Sequence, residues 1–144
     1  MIFDRRASAG YMTNWAARLF ARVVDRRLKS IGVSSGYMPV FFALGDGSAL
    51  TQKALAEIAA IEQPTMAATL KRMERDGLLE RRPDPADRRS ALIALTPVAR
   101  EKAREVQQAV RDINAAALSQ LSEDERAAYL DMLARITKSL EAAD

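Results

Sequence analysis

The residues with the clearest chemical potential in this chain fall between positions 63 and 89. Thr65, Ala68, Thr69 and Arg72 share one face of a segment that opens at Gln63 and Pro64. An arginine can bond bidentately to guanine, a glutamine prefers adenine, and a threonine or alanine methyl can meet the thymine methyl. Pro64 marks a helix start, whose free amides can hold a phosphate. Lys71 and Arg75 flank the same face and suit phosphate oxygens, which position a protein without specifying sequence. Arg88 and Arg89 close the stretch Pro83-Asp84-Pro85-Ala86-Asp87-Arg88-Arg89, which has almost no apolar content. An arginine on an extended tip fits a narrow minor groove, where the negative potential is enhanced. Asp87 is acidic, so it is expected to support the tip by pairing with an arginine, Arg72 or Arg89, rather than to touch a polyanion. Charged helix faces and loops are ordinarily just solvated. These side chains therefore gain meaning only from the elements that carry them.

Composition closes off most other chemistry. The chain of 144 residues has no cysteine and no histidine. That removes a disulfide scaffold, an iron–sulfur cluster, a thiol nucleophile, a thiol redox sensor, the usual zinc sites and a histidine general base. Carboxylate pairs such as Glu123 with Asp124 sit where a helix begins and serve its dipole. No enzymatic activity, cofactor or metal is expected. At 49% hydrophobic and 28% charged, the chain reads as one globular domain able to bury a core. No apolar run approaches the ~20 residues of a membrane span, and no apolar stretch of a signal peptide follows Arg5-Arg6. A cytoplasmic protein without a membrane partner is expected. The net charge of +3 argues only weakly for a polyanion, so the case rests on where the arginines cluster.

The elements that must position these residues follow from periodicity and caps. Residues 11–31 read as a long helix with two adjacent apolar stripes, Met12, Trp15, Ala16, Leu19 and Val23 beside Phe20, Val24, Leu28 and Ile31. So broad a face calls for cover on two sides. After a Gly/Ser break comes a short apolar segment, residues 37–44, closed by Gly45-Asp46-Gly47-Ser48. Thr51 is placed to cap a short helix over residues 52–59, with Leu50 and Leu55 as a hydrophobic staple. Pro64 starts a helix that runs to about Asp76, and Gly77 suits its left-handed end. Met66, Leu70 and Met73 fall at i, i+4 and i+7 and are expected to pack inward on Leu55 and Ile58. Segments 78–82 and 90–95 flank the proline-bearing tip as a hairpin. Thr96-Pro97 opens a long helix with a stripe of Val106, Val110, Ile113, Ala117 and Leu121. Ser122-Glu123-Asp124-Glu125 is a capping box for a last helix lined by Tyr129, Leu133, Ile136 and Leu140.

Two helices joined by a tight turn and followed by a hairpin make a helix-turn-helix with a wing. The second helix of such a unit enters the DNA major groove. At this point the chain resembles a known family. The stretches Leu50-Thr51-Gln52, Ile61-Glu62-Gln63-Pro64-Thr65-Met66, Arg72-Met73-Glu74-Arg75-Asp76-Gly77-Leu78 and Asp84-Pro85-Ala86-Asp87-Arg88-Arg89-Ser90 with Leu95-Thr96-Pro97 are similar to the MarR family of regulators. The resemblance spans the helix order of the whole chain and is most specific over residues 50–97. It implies a mainly α, α+β fold: a winged helix-turn-helix lobe at 36–98, with 1–35 and 99–144 forming a dimerisation lobe. It also implies a homodimer on a palindromic operator, with the 64–76 helix in the major groove and Arg89 in the minor groove. A small-molecule pocket that lowers DNA affinity, and repression as the outcome, come with it.

The residues agree on the dimer, because the stripes of the long helices do not saturate one another within one small chain. For an effector, Tyr11, Trp15, Arg18, Tyr37, Met38 and Phe41 offer an apolar cleft with one cation, suited to an aromatic or anionic molecule. The same six residues also suit a dimer core. The competing functional reading is a winged-helix dimer that binds protein without DNA. The placement of Lys71, Arg72, Arg88 and Arg89 on an exposed surface separates the two.

Overall fold

Ser8 starts the first long helix. Its hydroxyl accepts from the Tyr11 amide, and α1 runs Ala9–Ile31 until Gly32, at φ 77°, turns the chain in the left-handed region. The computed structural model describes residues 3–144. After α1 come α2 (Met38–Leu44), α3 (Gln52–Ala59), α4 (Gln63–Arg75), β1 (Leu79–Pro83), β2 (Ala91–Leu95), α5 (Pro97–Ala117) and α6 (Glu123–Ala142). Short 3-10 turns at Arg5–Ala7 and Ser35–Tyr37 precede α1 and α2. The fold is mainly helical with one antiparallel hairpin, the winged arrangement expected from the sequence. Among the described residues, no helix is long and apolar enough to cross a membrane.

The caps form as their residue types dictate. Thr51 accepts from the Ala54 amide at 3.1 Å, and Thr96 accepts from Ala99 at 3.3 Å. Ser122 and Glu125 exchange both bonds of a capping box, at 3.2 and 2.9 Å. Gly77, at φ 76°, ends α4, and the Leu78 amide reaches back to the Met73 carbonyl. The apolar segment after the Gly/Ser break forms the short helix α2, as the element order leads one to expect. Elsewhere a boundary differs from expectation. Helix α5 ends at Ala117, so Leu121 lies in the turn before α6 rather than on the α5 stripe. Leu50, just ahead of α3, pairs with Ile93 of β2 through two main-chain bonds of 3.0 and 2.7 Å.

The chain divides into two compact units, the first ending at Val110 and the second covering Arg111–Asp144. The core of the first unit gathers Leu28, Val40, Phe41 and Leu44, Leu55, Met66, Leu70 and Met73, Ile93 and Leu95, and Ala99 and Val106. This is the end of α1 together with α2–α5 and the hairpin. Ile58 does not join it: it is 64% exposed. Leu55, Ala56 and Ala59 occupy the inward face of α3 at i, i+1 and i+4, and Ile58 falls to its side. Helix α1 leaves Tyr11, Met12, Trp15, Leu19 and Val23 exposed. In the second unit, the Arg126 guanidinium donates to the carbonyls of Leu118 and Leu121 and fixes the turn into α6. Helix α6 has no buried residue, and Leu130, Met132, Ile136 and Leu140 are exposed along it.

Leu70→Ala, at a position with no exposure, is expected to cost about 2–5 kcal/mol in urea unfolding. Ile58→Ala should stay within about 0.5 kcal/mol. A large loss for Ile58→Ala would place it in the core after all.

Candidate nucleic-acid interface

Helix α4 is rotated by its apolar side chains. Met66, Leu70 and Met73 are buried, which turns Gln63, Pro64, Thr65, Ala68, Lys71, Arg72 and Arg75 outward into solvent. Glu62 precedes the helix in extended backbone without a side-chain cap, and Pro64 occupies its first turn. The amides at this end therefore lack a side-chain acceptor from the capping position. One expected member of the outward face is elsewhere. Thr69 is only 7% exposed, and its hydroxyl donates to the Thr65 carbonyl at 3.1 Å. A threonine on a helix can return its hydroxyl to the carbonyl four residues back and bury its methyl. Thr69 therefore leaves the base-reading set and becomes a support, accepting from Arg72 Nη2 at 3.5 Å.

The wing grows directly from α4. Strands β1 and β2 pair from Leu79 with Leu95 to Pro83 with Ala91. Arg81 Nε meets Glu74 Oε2 at 2.9 Å, tying the strand to the helix, and the Thr96 hydroxyl donates to the Gly77 carbonyl at 2.8 Å. The tip is shaped by two aspartates in succession. Asp84 Oδ1 accepts from the Ala86 amide, and Asp87 Oδ1 accepts from the Arg89 amide, each at 2.9 Å. These are Asx turns, in which a carboxylate stands in for a backbone acceptor. Asp87 thus supports the tip through main chain. The expected ion pair with the guanidinium of Arg72 or Arg89 does not form. Arg88 and Arg89 are exposed, and among the described residues neither they, Lys71 nor Arg72 has a carboxylate within ion-pair distance.

The remaining arginine of the helix is engaged. Arg75 Nε contacts Asp76 Oδ1 at 3.2 Å, and the Tyr37 hydroxyl donates to Asp76 Oδ2 at 2.7 Å. The Arg72 guanidinium lies 6.0 Å from the centroid of the Tyr37 ring. The hydroxyl bond from Tyr37 pulls the Asp76 carboxyl below the ordinary aspartate range, with Arg75 adding to it. Burial, then the bond to Asp76, pushes the Tyr37 phenol up. The bond is therefore intact through neutral pH. Its contribution disappears as pH falls and Asp76 takes up a proton, and again at high pH as Tyr37 ionises. Asp76 carries no signal of this role in the sequence, because its partner lies 39 positions away.

The six residues considered for an effector cleft occupy different environments. Tyr37 and Phe41 are core, and Met38 packs against the core half-buried. Tyr11, Trp15 and Arg18 are exposed on α1, where Tyr11 and Trp15 meet edge to face. An open cavity of about 570 Å³ lies instead at the end of α1, lined by Asp25, Arg26, Lys29 and residues 32–35. None of the six lines it.

Comparison with known proteins bears on the family and the fold. A sequence model described as the MarR family matches residues 31–90. The HTH-type transcriptional regulator YwoH of Bacillus subtilis is 32% identical over 96 residues, which are 67% of this chain and 69% of that protein. Among solved structures, BpsR of Bordetella bronchiseptica superposes with a TM-score of 0.85 at 23% identity, covering 95% of this chain and 98% of that one. A mutant MarR from E. coli, complexed with operator DNA, gives a TM-score of 0.84 at 20% identity, covering 94% and 98%.

Asp76→Asn is expected to flatten the acid limb of the stability–pH profile below the ordinary aspartate range. Stability measured by denaturant unfolding at successive pH values checks this. An unchanged acid limb would mean that the Tyr37–Asp76 bond does not stabilise the fold.

Proposed function

The chain belongs to the MarR family of transcriptional regulators, and on that premise we propose that it is a cytoplasmic repressor that binds a palindromic operator as a homodimer. The observation that carries this reading is the outward display of Lys71 and Arg72 on α4 and of Arg88 and Arg89 on the wing tip, none held by a carboxylate among the described residues. Cations kept out of ion pairs are available to displace counterions from phosphates. Gln63, Thr65, Ala68 and Arg72 then face base edges in the major groove, and Lys71 and Arg75 meet phosphates. Pro64 starts α4 so that its first amides can also meet a phosphate. Arg89, with Arg88 beside it, enters the minor groove, and Asp87 holds the tip that presents them.

Dimerisation is supported by large apolar side chains that one chain leaves exposed. On α1 these are Tyr11, Met12, Trp15, Leu19 and Val23; on α6 they are Leu130, Met132, Ile136 and Leu140. A second copy would cover them, and its two-fold axis would set half-sites about 10 bp apart. In domain terms, 36–98 serve as the DNA-binding lobe and 1–35 with 99–144 as the dimerisation lobe. Regulation by a small aromatic or anionic effector rests on relatives. The DNA binding of BpsR is regulated by 6-hydroxynicotinic acid, and PcaV of Streptomyces coelicolor is known in complex with its natural ligand.

Arg89→Ala should weaken binding to duplexes selected from a randomised pool by more than about tenfold while leaving the dimer intact. Fluorescence anisotropy titrations with parallel sizing check both points. Wild-type affinity in the variant would remove the wing from the interface. Affinity of the native protein should also fall steeply between low and moderate salt. A flat response would favour the protein-interaction reading instead.

A further inference from the structure

We propose that Tyr37 positions Arg72 for base reading, by cushioning its guanidinium and by keeping Asp76 from capturing it. The inference rests on the DNA-reading assignment of α4 and adds a residue that touches no DNA. The Arg72 guanidinium is held by two contacts: its Cζ lies 6.0 Å from the Tyr37 ring centroid, and its Nη2 donates to Thr69 Oγ1 at 3.5 Å. A guanidinium has five donors in a fixed fork, and the Thr69 bond uses one of them. The rival for those donors is Asp76, one turn along the helix and near enough to feel the Arg72 charge. A carboxylate and a guanidinium combine readily into a bidentate pair. That pair would use the same fork that reads guanine.

Both Asp76 oxygens are engaged instead. Oδ2 accepts from the Tyr37 hydroxyl at 2.7 Å and Oδ1 from Arg75 at 3.2 Å. Tyr37 is only 5% exposed, at the end of the 3-10 turn that leads into α2, so its hydroxyl and ring are fixed by the core. The hydroxyl therefore divides the two arginines between two tasks. Arg75 keeps its Nε on the carboxylate, with its terminal nitrogens left for a phosphate, and Arg72 stays over the ring without a carboxylate partner among the described residues.

The test uses full-length protein and duplexes selected by the wild type from a randomised pool. The base pair read by Arg72 is the one at which Arg72→Ala loses preference. Tyr37→Phe keeps the ring and the packing but releases Asp76 Oδ2. It should reduce preference at that pair roughly threefold to tenfold, with thermal unfolding showing a folded protein. Adding Asp76→Ala to Tyr37→Phe should restore most of the preference, because the competing carboxylate is gone. Combining Tyr37→Phe with Arg72→Ala should be no worse at that pair than Arg72→Ala alone. Unchanged preference in Tyr37→Phe, absence of rescue, or additive losses would overturn the role of Tyr37 while leaving the DNA-reading assignment standing. A wild-type protein that selects no sequence, or an Arg72→Ala that alters no position, would instead remove the reading on which the role depends.

Discussion

The burial of Met66, Leu70 and Met73 is the constraint on which the interface depends. Three apolar side chains at i, i+4 and i+7 leave α4 a single favourable rotation about its axis. Each buried side chain contributes about 1.5–3 kcal/mol, so turning the helix by one residue would forfeit several kcal/mol. The outward residues thus need no force of their own to face solvent. Gln63, Thr65, Ala68, Lys71, Arg72 and Arg75 are presented because the opposite face is anchored. The wing inherits the same anchor through Leu78 and Leu79, the Glu74–Arg81 pair and the Thr96–Gly77 bond.

Within that frame, the acidic residues near the interface are arranged so that they do not neutralise it. Asp84 and Asp87 spend their carboxylates on tip amides, Asp76 on Tyr37 and Arg75, Glu74 on Arg81, and Glu80 on Arg82. A carboxylate engaged locally competes less for a neighbouring guanidinium. Among the described residues, Lys71, Arg72, Arg88 and Arg89 are therefore left without an ion-pair partner, although residues 40–100 carry nearly as many acidic groups as basic ones.

Much of this was legible in the sequence where one residue type has one physical cause. Thr51, Ser122 and Thr96 cap because a hydroxyl meets free amides, and Gly77 ends α4 because it tolerates positive φ. The helix-turn-helix, the wing and the inward face of α4 followed from such signals. The misplacements have causes that a linear pattern does not carry. Thr69 reads as polar, yet it closes its hydroxyl on its own helix and goes inside. Ile58 reads as core, yet the crossing of α3 gives its inward face to Leu55, Ala56 and Ala59. The partner of Asp87 is a main-chain amide, which every residue but proline offers and no sequence advertises. The Tyr37–Asp76 bond and the Leu50–Ile93 pairing join positions about forty apart, so only the fold reveals them.

The most direct measurement of the central claim, that α4 reads the major groove with the face its core leaves outward, is protection of guanine N7 from dimethyl sulfate in duplexes the protein selects. The account predicts protected guanines in two symmetric half-sites about 10 bp apart, with the protection lost in Arg72→Ala. A saturated complex in which every guanine N7 stays as reactive as in free DNA would contradict it.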